Sequence, residues 1–181
     1  GVNWSTIRNC FSSCIVTGAQ SVGGLIGDNT VNSSNSYSTG NAIATLEKAG
    51  GFAGENGGAI TNCYSTGNAT APTNVGGFVG FQNQSYGSVD NCFWDVETSG
   101  LTSSPGGTGK ISADMKTLGT FTSAGWDFVK ESTNGDEDIW ILHNGYNNGY
   151  PMLYKDYLKN RLPDVTFISQ KSGKIGLMVA A

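Results

Sequence analysis

The residues of this chain that could do chemistry are few and scattered. A Ser–His–Asp triad needs a histidine held by a carboxylate, and the 181 residues include one histidine, His143. It follows the apolar run Ile139–Leu142 and precedes the turn-forming pair Asn144-Gly145, so it is expected at a turn with no catalytic role. Paired carboxylates could cleave a glycosidic bond. The first hundred residues offer Asp28, Glu47, Glu55, Asp90, Asp95 and Glu97, with Arg8 and Lys48 as isolated basic partners. These acids read as not sharing one repeat position. Two carboxylates and a basic residue within ~6 Å on one face would favour a carbohydrate-active enzyme, and scattered acids would exclude it. The chain is accordingly expected not to be an enzyme. In the second half, Asp136-Glu137-Asp138 is the densest acidic run. Asp136 and Asp138 are candidate calcium ligands by their alternation, but the run is too short for an EF-hand loop and lacks its distal glutamate. A solvated turn is the expected reading, and no other cofactor is indicated.

Cys10, Cys14, Cys63 and Cys92 lack the paired spacing and the histidines of a zinc site. Cys10, Cys63 and Cys92 fall at one repeat position, where Ser36 takes the remaining copy. Small buried residues stacked in a core explain that pattern. A Cys63–Cys92 disulfide between neighbouring rungs is also conceivable, and the state of Cys14 is open.

What must position these residues is a repeat of about 27 residues. One half reads Gly23-Gly24-Leu25-Ile26-Gly27, Gly50-Gly51-Phe52-Ala53-Gly54 and Gly76-Gly77-Phe78-Val79-Gly80. The other reads Asn9-Cys10-Phe11, Asn35-Ser36-Tyr37, Asn62-Cys63-Tyr64 and Asn91-Cys92-Phe93. Turn formers separate two or three short β-type segments per repeat, and helical periodicity is absent from residues 1–100. That length fits one coil of a β-solenoid whose coils pair at ~4.8 Å. Stacking predicts an amide ladder through Asn9, Asn35, Asn62 and Asn91 and an aromatic stack through Phe11, Tyr37, Tyr64 and Phe93. The paired glycines would allow close backbone approach or positive φ, and Ser38-Thr39 with Ser65-Thr66 would lie on ordinary strand surface.

Composition narrows the function classes. Residues 1–100 carry two basic and six acidic side chains, which is the whole net charge of −4. With no basic stripe on the repeats, nucleic acid is not an expected partner. No apolar run reaches the ~20 residues of a membrane span. Gly1 opens inside a repeat-like pattern, so the chain reads as a fragment.

Taken together, these copies resemble GLUG-motif repeats, which occur in large surface-exposed or secreted bacterial and archaeal proteins, including IgA-peptidase-like and haemagglutinin-like adhesins. Asn91-Cys92-Phe93-Trp94-Asp95, Gly106-Gly107-Thr108-Gly109, Gly125-Trp126-Asp127-Phe128, Trp140 and Gly149-Tyr150-Pro151-Met152-Leu153 resemble the segment that ends such arrays. The resemblance spans residues 7 to 154 and implies a β-solenoid, export, and a stalk or adhesive role, with no catalytic residue to carry over.

The expected architecture is all-β: a right- or left-handed β-solenoid of about 27-residue coils with a C-terminal α+β or irregular cap. Residues 1–100 would form the solenoid. Residues 101–157 would be an aromatic-rich capping module, with 101–109 a loop and a short helix N-capped by Ser112. Residues 158–181 would be a tail: a hairpin, a docking strand or the start of another domain. The expected function is a structural or adhesive module of an extracellular cell-surface protein. Its partner would be a host or cell-surface glycan or protein, with Tyr86, Tyr146 and Tyr150 as loop candidates. The alternative is a self-assembling filament or surface-layer subunit in which residues 164–181 pair with a neighbouring copy.

Overall fold

A computed structural model describes residues 1–161 and the backbone of the strands Val165–Ser169 and Ile175–Val179. The chain divides into two compact units, Gly1–Met115 and Lys116–Ala181. The first is a parallel β-solenoid of about four coils. Each coil has four sides. One sheet stacks Val2–Asn3, Ile26–Asn29, Ala53–Asn56 and Val79–Gln82; a second stacks Ile7–Arg8, Ser33–Ser34, Ala59–Thr61 and Ser88–Asp90. The third stacks Phe11–Ser12, Tyr37–Ser38, Tyr64–Ser65, Phe93–Asp95 and Thr108–Lys110. The long strands Val16–Gly23 and Ala42–Gly50 form the fourth, with Ala69–Thr70 and Val75–Gly76. Sequence pattern gave two or three strands per coil because two-residue strands are too short to show an alternation. Thr108–Lys110 also corrects the loop expected over 101–109, since it adds a rung on Phe93–Asp95.

Each corner and column has a local cause. Asn9, Asn35, Asn62 and Asn91 all have positive φ, between 49° and 55°. Asparagine tolerates this left-handed conformation, which turns the chain between the second and third sides. The amide ladder expected at these asparagines is corrected: the Asn35 Oδ1 is buried without a hydrogen-bond partner. The amide ladder runs on the first side instead. Asn3 Nδ2 donates to Asn29 Oδ1 at 2.9 Å, Asn29 Nδ2 to Asn56 Oδ1 at 2.8 Å, and Asn56 Nδ2 to Gln82 Oε1 at 3.1 Å. These steps of 26, 27 and 26 residues set the length of a coil.

The aromatic column is stacked as expected, Phe11 on Tyr37 at 5.1 Å and Tyr37 on Tyr64 at 5.0 Å between ring centroids, and Phe93 follows in register with Tyr64. A second stack, Phe52 on Phe78 at 4.9 Å, lies in the core with Ile26, Ile60, Val79 and Trp94. The cysteine column is a hydrogen-bonded ladder. The thiols of Cys10, Cys63 and Cys92 and the Ser36 hydroxyl each donate to the carbonyl two residues back, at 2.8–3.3 Å. The Cys10 N–H donates to Ser36 Oγ and the Cys63 N–H to Cys92 Sγ. A small side chain that both donates and accepts is what this column requires, so Ser and Cys interchange. All four cysteines are free thiols, and burial pushes the Cys92 thiol well above its usual range.

The glycines serve close approach. A Cβ at Gly51 would overlap the Gly77 carbonyl oxygen, and one at Gly77 would overlap the Trp94 ring. The partners in this column are Ser38, Ser65 and Trp94, and both serines are wholly buried, which corrects their assignment to strand surface. At the last full coil Asp95 caps the helix Val96–Ser99, its Oδ1 accepting from the N–H groups of Glu97 and Thr98 at 2.9 and 3.1 Å. The Ser112 hydroxyl, expected to cap its own helix, donates to Asp95 Oδ2 at 2.7 Å. Residues 101–115 therefore belong with the solenoid, not with the module that follows.

The second unit packs Phe121, Trp126, Phe128 and Trp140 as mutually tilted rings, with Trp126 and Trp140 centroids 4.7 Å apart. The antiparallel pair Trp140–Ile141 and Met152–Leu153 and the helices Leu118–Thr122 and Tyr154–Arg161 surround them. Val165–Ser169 and Ile175–Val179 pair antiparallel, the hairpin among the expected forms of the tail.

Candidate functional site

The solenoid brings together three of the charged residues that the sequence left apart. Asp28 and Glu55 each follow the third glycine of a Gly-Gly-x-x-Gly block, and the register pairs them on neighbouring rungs. The next residue in the column is Phe81. Asp28 and Glu55 therefore do share a repeat position. The signal was present in sequence, and it was hidden because Phe81 breaks the acidic pattern.

Lys48 reaches this column from the fourth side. It has a φ of 62°, in register between Ser21 and Asn74, which are also left-handed. That bend aims the ammonium at Glu55, where Nζ lies 2.9 Å from Oε2. The Ser21 hydroxyl donates to the same oxygen at 3.1 Å, and Lys48 Nζ stands 4.9 Å from the centre of the half-exposed Phe81 ring. Gln20 Nε2 donates to Glu47 Oε1 at 3.3 Å on the adjoining surface. Burial, and then the neighbouring Glu55, raise the Asp28 carboxyl above its ordinary value. The hydrogen bond that Lys48 donates to Glu55 raises the Lys48 ammonium. The result is a carboxylate that accepts from an ammonium and a hydroxyl, next to a carboxyl raised above its ordinary value. An exposed ring beside polar groups suits a sugar face.

The other candidates are not gathered there. Asp95 is a buried helix cap, Glu97 is exposed and accepts from the Ser112 N–H, and Asp90 and Arg8 are exposed. His143 lies at an exposed turn, where its Nδ1 accepts from the Gly145 N–H at 3.1 Å. A triad needs that nitrogen as a donor to a carboxylate. Among the described residues no group of three or more His, Cys, Asp or Glu is placed to hold a metal ion. Asp136 is exposed, Asp138 is half-buried with a φ of 50°, and their loop is organised by the buried Asp127, whose Oδ2 accepts from the Glu137 N–H at 2.9 Å. Sequence reasoning missed Asp127; desolvation raises its carboxyl.

Parallel coils with side-chain columns define the class: this is a β-solenoid repeat protein. Within that class, residues 47–70 match the GLUG motif. It is 39% identical over 130 residues to a provisionally named Gly-rich membrane protein of Evansella cellulosilytica, an alignment covering 68% of this chain and 12% of that protein. Its fold is similar to the crystal structure of a protein from Bacteroides ovatus provisionally identified as an immunoglobulin A1 protease, with a TM-score of 0.54 and 22% identity. That match covers 82% of this chain and 48% of the other, and at this identity it is a likeness of fold. The chain thus spans under half of either protein. None of the helices among the described residues is long and apolar enough to cross a membrane.

Proposed function

We propose that the chain is a structural and adhesive module of an extracellular cell-surface protein, a rigid β-solenoid that displays a binding surface. The observation that carries this reading is how the repeat positions are used. The amide and aromatic columns engage their own neighbours along the axis, and the thiols and the Ser36 hydroxyl donate within their own coil. Such a stack is stiff, because bending it breaks several ladders at once. Among the outward-facing groups, the Asp28–Glu55–Lys48–Phe81 cluster has the donors, acceptors and ring that a glycan contact uses. Likeness to a longer membrane protein supports a surface location. The test is retention of chain-coated beads on immobilised glycans and proteins under flow, together with antibody labelling of intact cells that express the protein. Retention and surface labelling are expected. Labelling only after permeabilisation refutes the location, and absence of retention on every surface refutes adhesion.

A second reading is favoured by the same column: a carbohydrate-active β-helix in which Asp28 is the acid and Glu55 the charged partner. Its test is release of reducing sugar or of unsaturated product from a polysaccharide panel. Turnover abolished in Asp28→Asn and in Glu55→Gln would establish it over display, and a chain inert on the whole panel would discard it.

A further inference from the structure

The second unit holds a cavity of about 420 Å³ whose chemistry is unlike that of the solenoid column. Its wall is apolar: Leu118, Phe128, Ile141 and Leu142. Its polar lining is nitrogen-rich, from Lys130 and His143. Tyr157 closes one side, and its hydroxyl accepts from Arg161 Nη1 at 2.8 Å. Among the described residues no carboxylate lines the cavity, although the chain as a whole carries a charge of −4.

Two geometric details mark these two residues. Lys130 has a φ of 72°, a conformation rare for a long side chain and held only where the surroundings impose it. His143 Nδ1 accepts from the Gly145 N–H, so its own proton sits on Nε2 and that nitrogen is a donor. The ring is fixed by edge contact with Tyr146 at 5.2 Å and by Tyr157 at 5.5 Å. The lining therefore includes an ammonium-bearing side chain and an imidazole beside an aliphatic wall.

We propose that this cavity binds the C-terminus of a polypeptide ending in an apolar side chain, with Lys130 and His143 on the carboxylate and the aliphatic wall on the side chain. The volume is at the small end of ligand cavities, enough for a terminal residue and its carboxylate. A neutral sugar would present hydroxyl donors on all sides, and among the described lining residues no side-chain carboxylate or amide is there to receive them. Capture of a terminal carboxylate is a recurrent mode of peptide recognition. The site belongs to the second unit and does not depend on the role given to the solenoid.

The chain's single histidine makes the test direct, because its ring resonances in an NMR titration report on this cavity alone. The intact chain is titrated with acetyl-Ala-Ala-Leu bearing a free carboxylate, with its C-terminal amide, and with glucuronate. The free acid is expected to shift the His143 signals and to bind about tenfold or more tightly than the amide, the effect of a charge-assisted contact. Lys130→Met should erase that difference, and Lys130→Arg should keep most of it. Unchanged near-ultraviolet dichroism confirms that each variant is folded. Equal binding of acid and amide, no shift with either peptide, or a preference that survives Lys130→Met overturns the proposal. Tighter binding of glucuronate than of the peptide acid overturns the ligand class.

Discussion

Replacing Asn56 by leucine is the sharpest test of the amide ladder. Asn56 is wholly buried and uses its full bonding capacity. Its Nδ2 donates to Gln82 Oε1 and to the Ser88 carbonyl at 3.1 and 3.2 Å; its Oδ1 accepts from Asn29 Nδ2 and from the Gly58 N–H at 2.8 and 3.2 Å. Leucine has nearly the same size and shape, so packing changes little. Asn29 Nδ2 keeps its bond to the Val31 carbonyl. The Gly58 N–H and Gln82 Oε1 lose the partner described for each, and Gln82 Nε2 is already buried without one. Each orphaned buried group costs ~1–3 kcal/mol, so the substitution should destabilise the solenoid by about 2–6 kcal/mol, a large fraction of a typical domain's stability. Hydrogen exchange read by mass spectrometry on peptides covering Ala49 to Ser65 isolates this region from the second unit. The comparison is Asn62→Gly at the left-handed corner, where the backbone conformation is what the asparagine supplies. It should cost no more than a few tenths of a kcal/mol. If Asn56→Leu leaves protection within about 1 kcal/mol of the parent, or if Asn62→Gly is the costlier change, the assignment of the ladder to the first side is wrong.

Other outcomes follow from the same geometry. Gly77→Ala should destabilise by about 1–3 kcal/mol, because its methyl would overlap the Trp94 ring. Combined with Trp94→Ser, the residue type of the preceding rungs, its cost should fall by more than 0.5 kcal/mol, a coupling read from a double-mutant cycle. Because the Asp28 carboxyl is raised above 3.8, the folded state binds its proton more tightly, and this contribution to stability is lost as pH rises from about 4 through the folded value. Asp28→Asn should remove that decline, and a decline unchanged in the variant assigns it to other groups. Lys48 has the opposite range: its raised value adds stability below 10.5 that is lost as pH rises through the folded value. Lys48→Met should remove that alkaline loss at a neutral-pH cost of no more than about 1 kcal/mol. For self-assembly, light-scattering mass of the intact chain should exceed the monomer if residues 164–181 pair between copies, and a chain ending at Arg161 should be monomeric. Two monomers would exclude the filament reading.

What could be read from sequence followed the strength of its signal. Glycine blocks and Asn-x-aromatic triplets gave the solenoid, its period and the aromatic column, because those residues recur unchanged. The amide ladder was misplaced onto Asn9, Asn35, Asn62 and Asn91, since asparagine is favoured both in stacked amides and in left-handed turns, and only φ separates the two. The true ladder runs through Asn3, Asn29 and Asn56 and changes to glutamine at Gln82, a break in identity that conceals a continuity of chemistry. Asp28 and Glu55 were missed as a pair for a related reason, and Lys48 lies seven residues from Glu55 in sequence, on another side of the coil. Its approach depends on a bend that no side-chain pattern encodes. The boundary at Met115 was illegible because Thr108–Lys110 has the composition of a loop and becomes a strand only by pairing with Phe93–Asp95.

The columns also explain how a Gly-rich parallel stack keeps its register. A flat strand of small residues could slip against its neighbour with little penalty. Here consecutive positions differ in chemistry: glycine, carboxylate, then amide in Gly54-Glu55-Asn56, and corner, thiol, then ring in Asn62-Cys63-Tyr64. A slip of one residue would set the Asn56 amide against a carboxylate position and the Tyr64 ring against a thiol, and every ladder would fail together. The array then stops where a residue cannot be followed by its like. Trp94 fills the column above Ser38 and Ser65 and lies over Gly77, and Asp95 turns the chain into a helix. Register and termination are thus set by the same side chains, and the face bearing Asp28 and Glu55 is held rigid as a consequence of both.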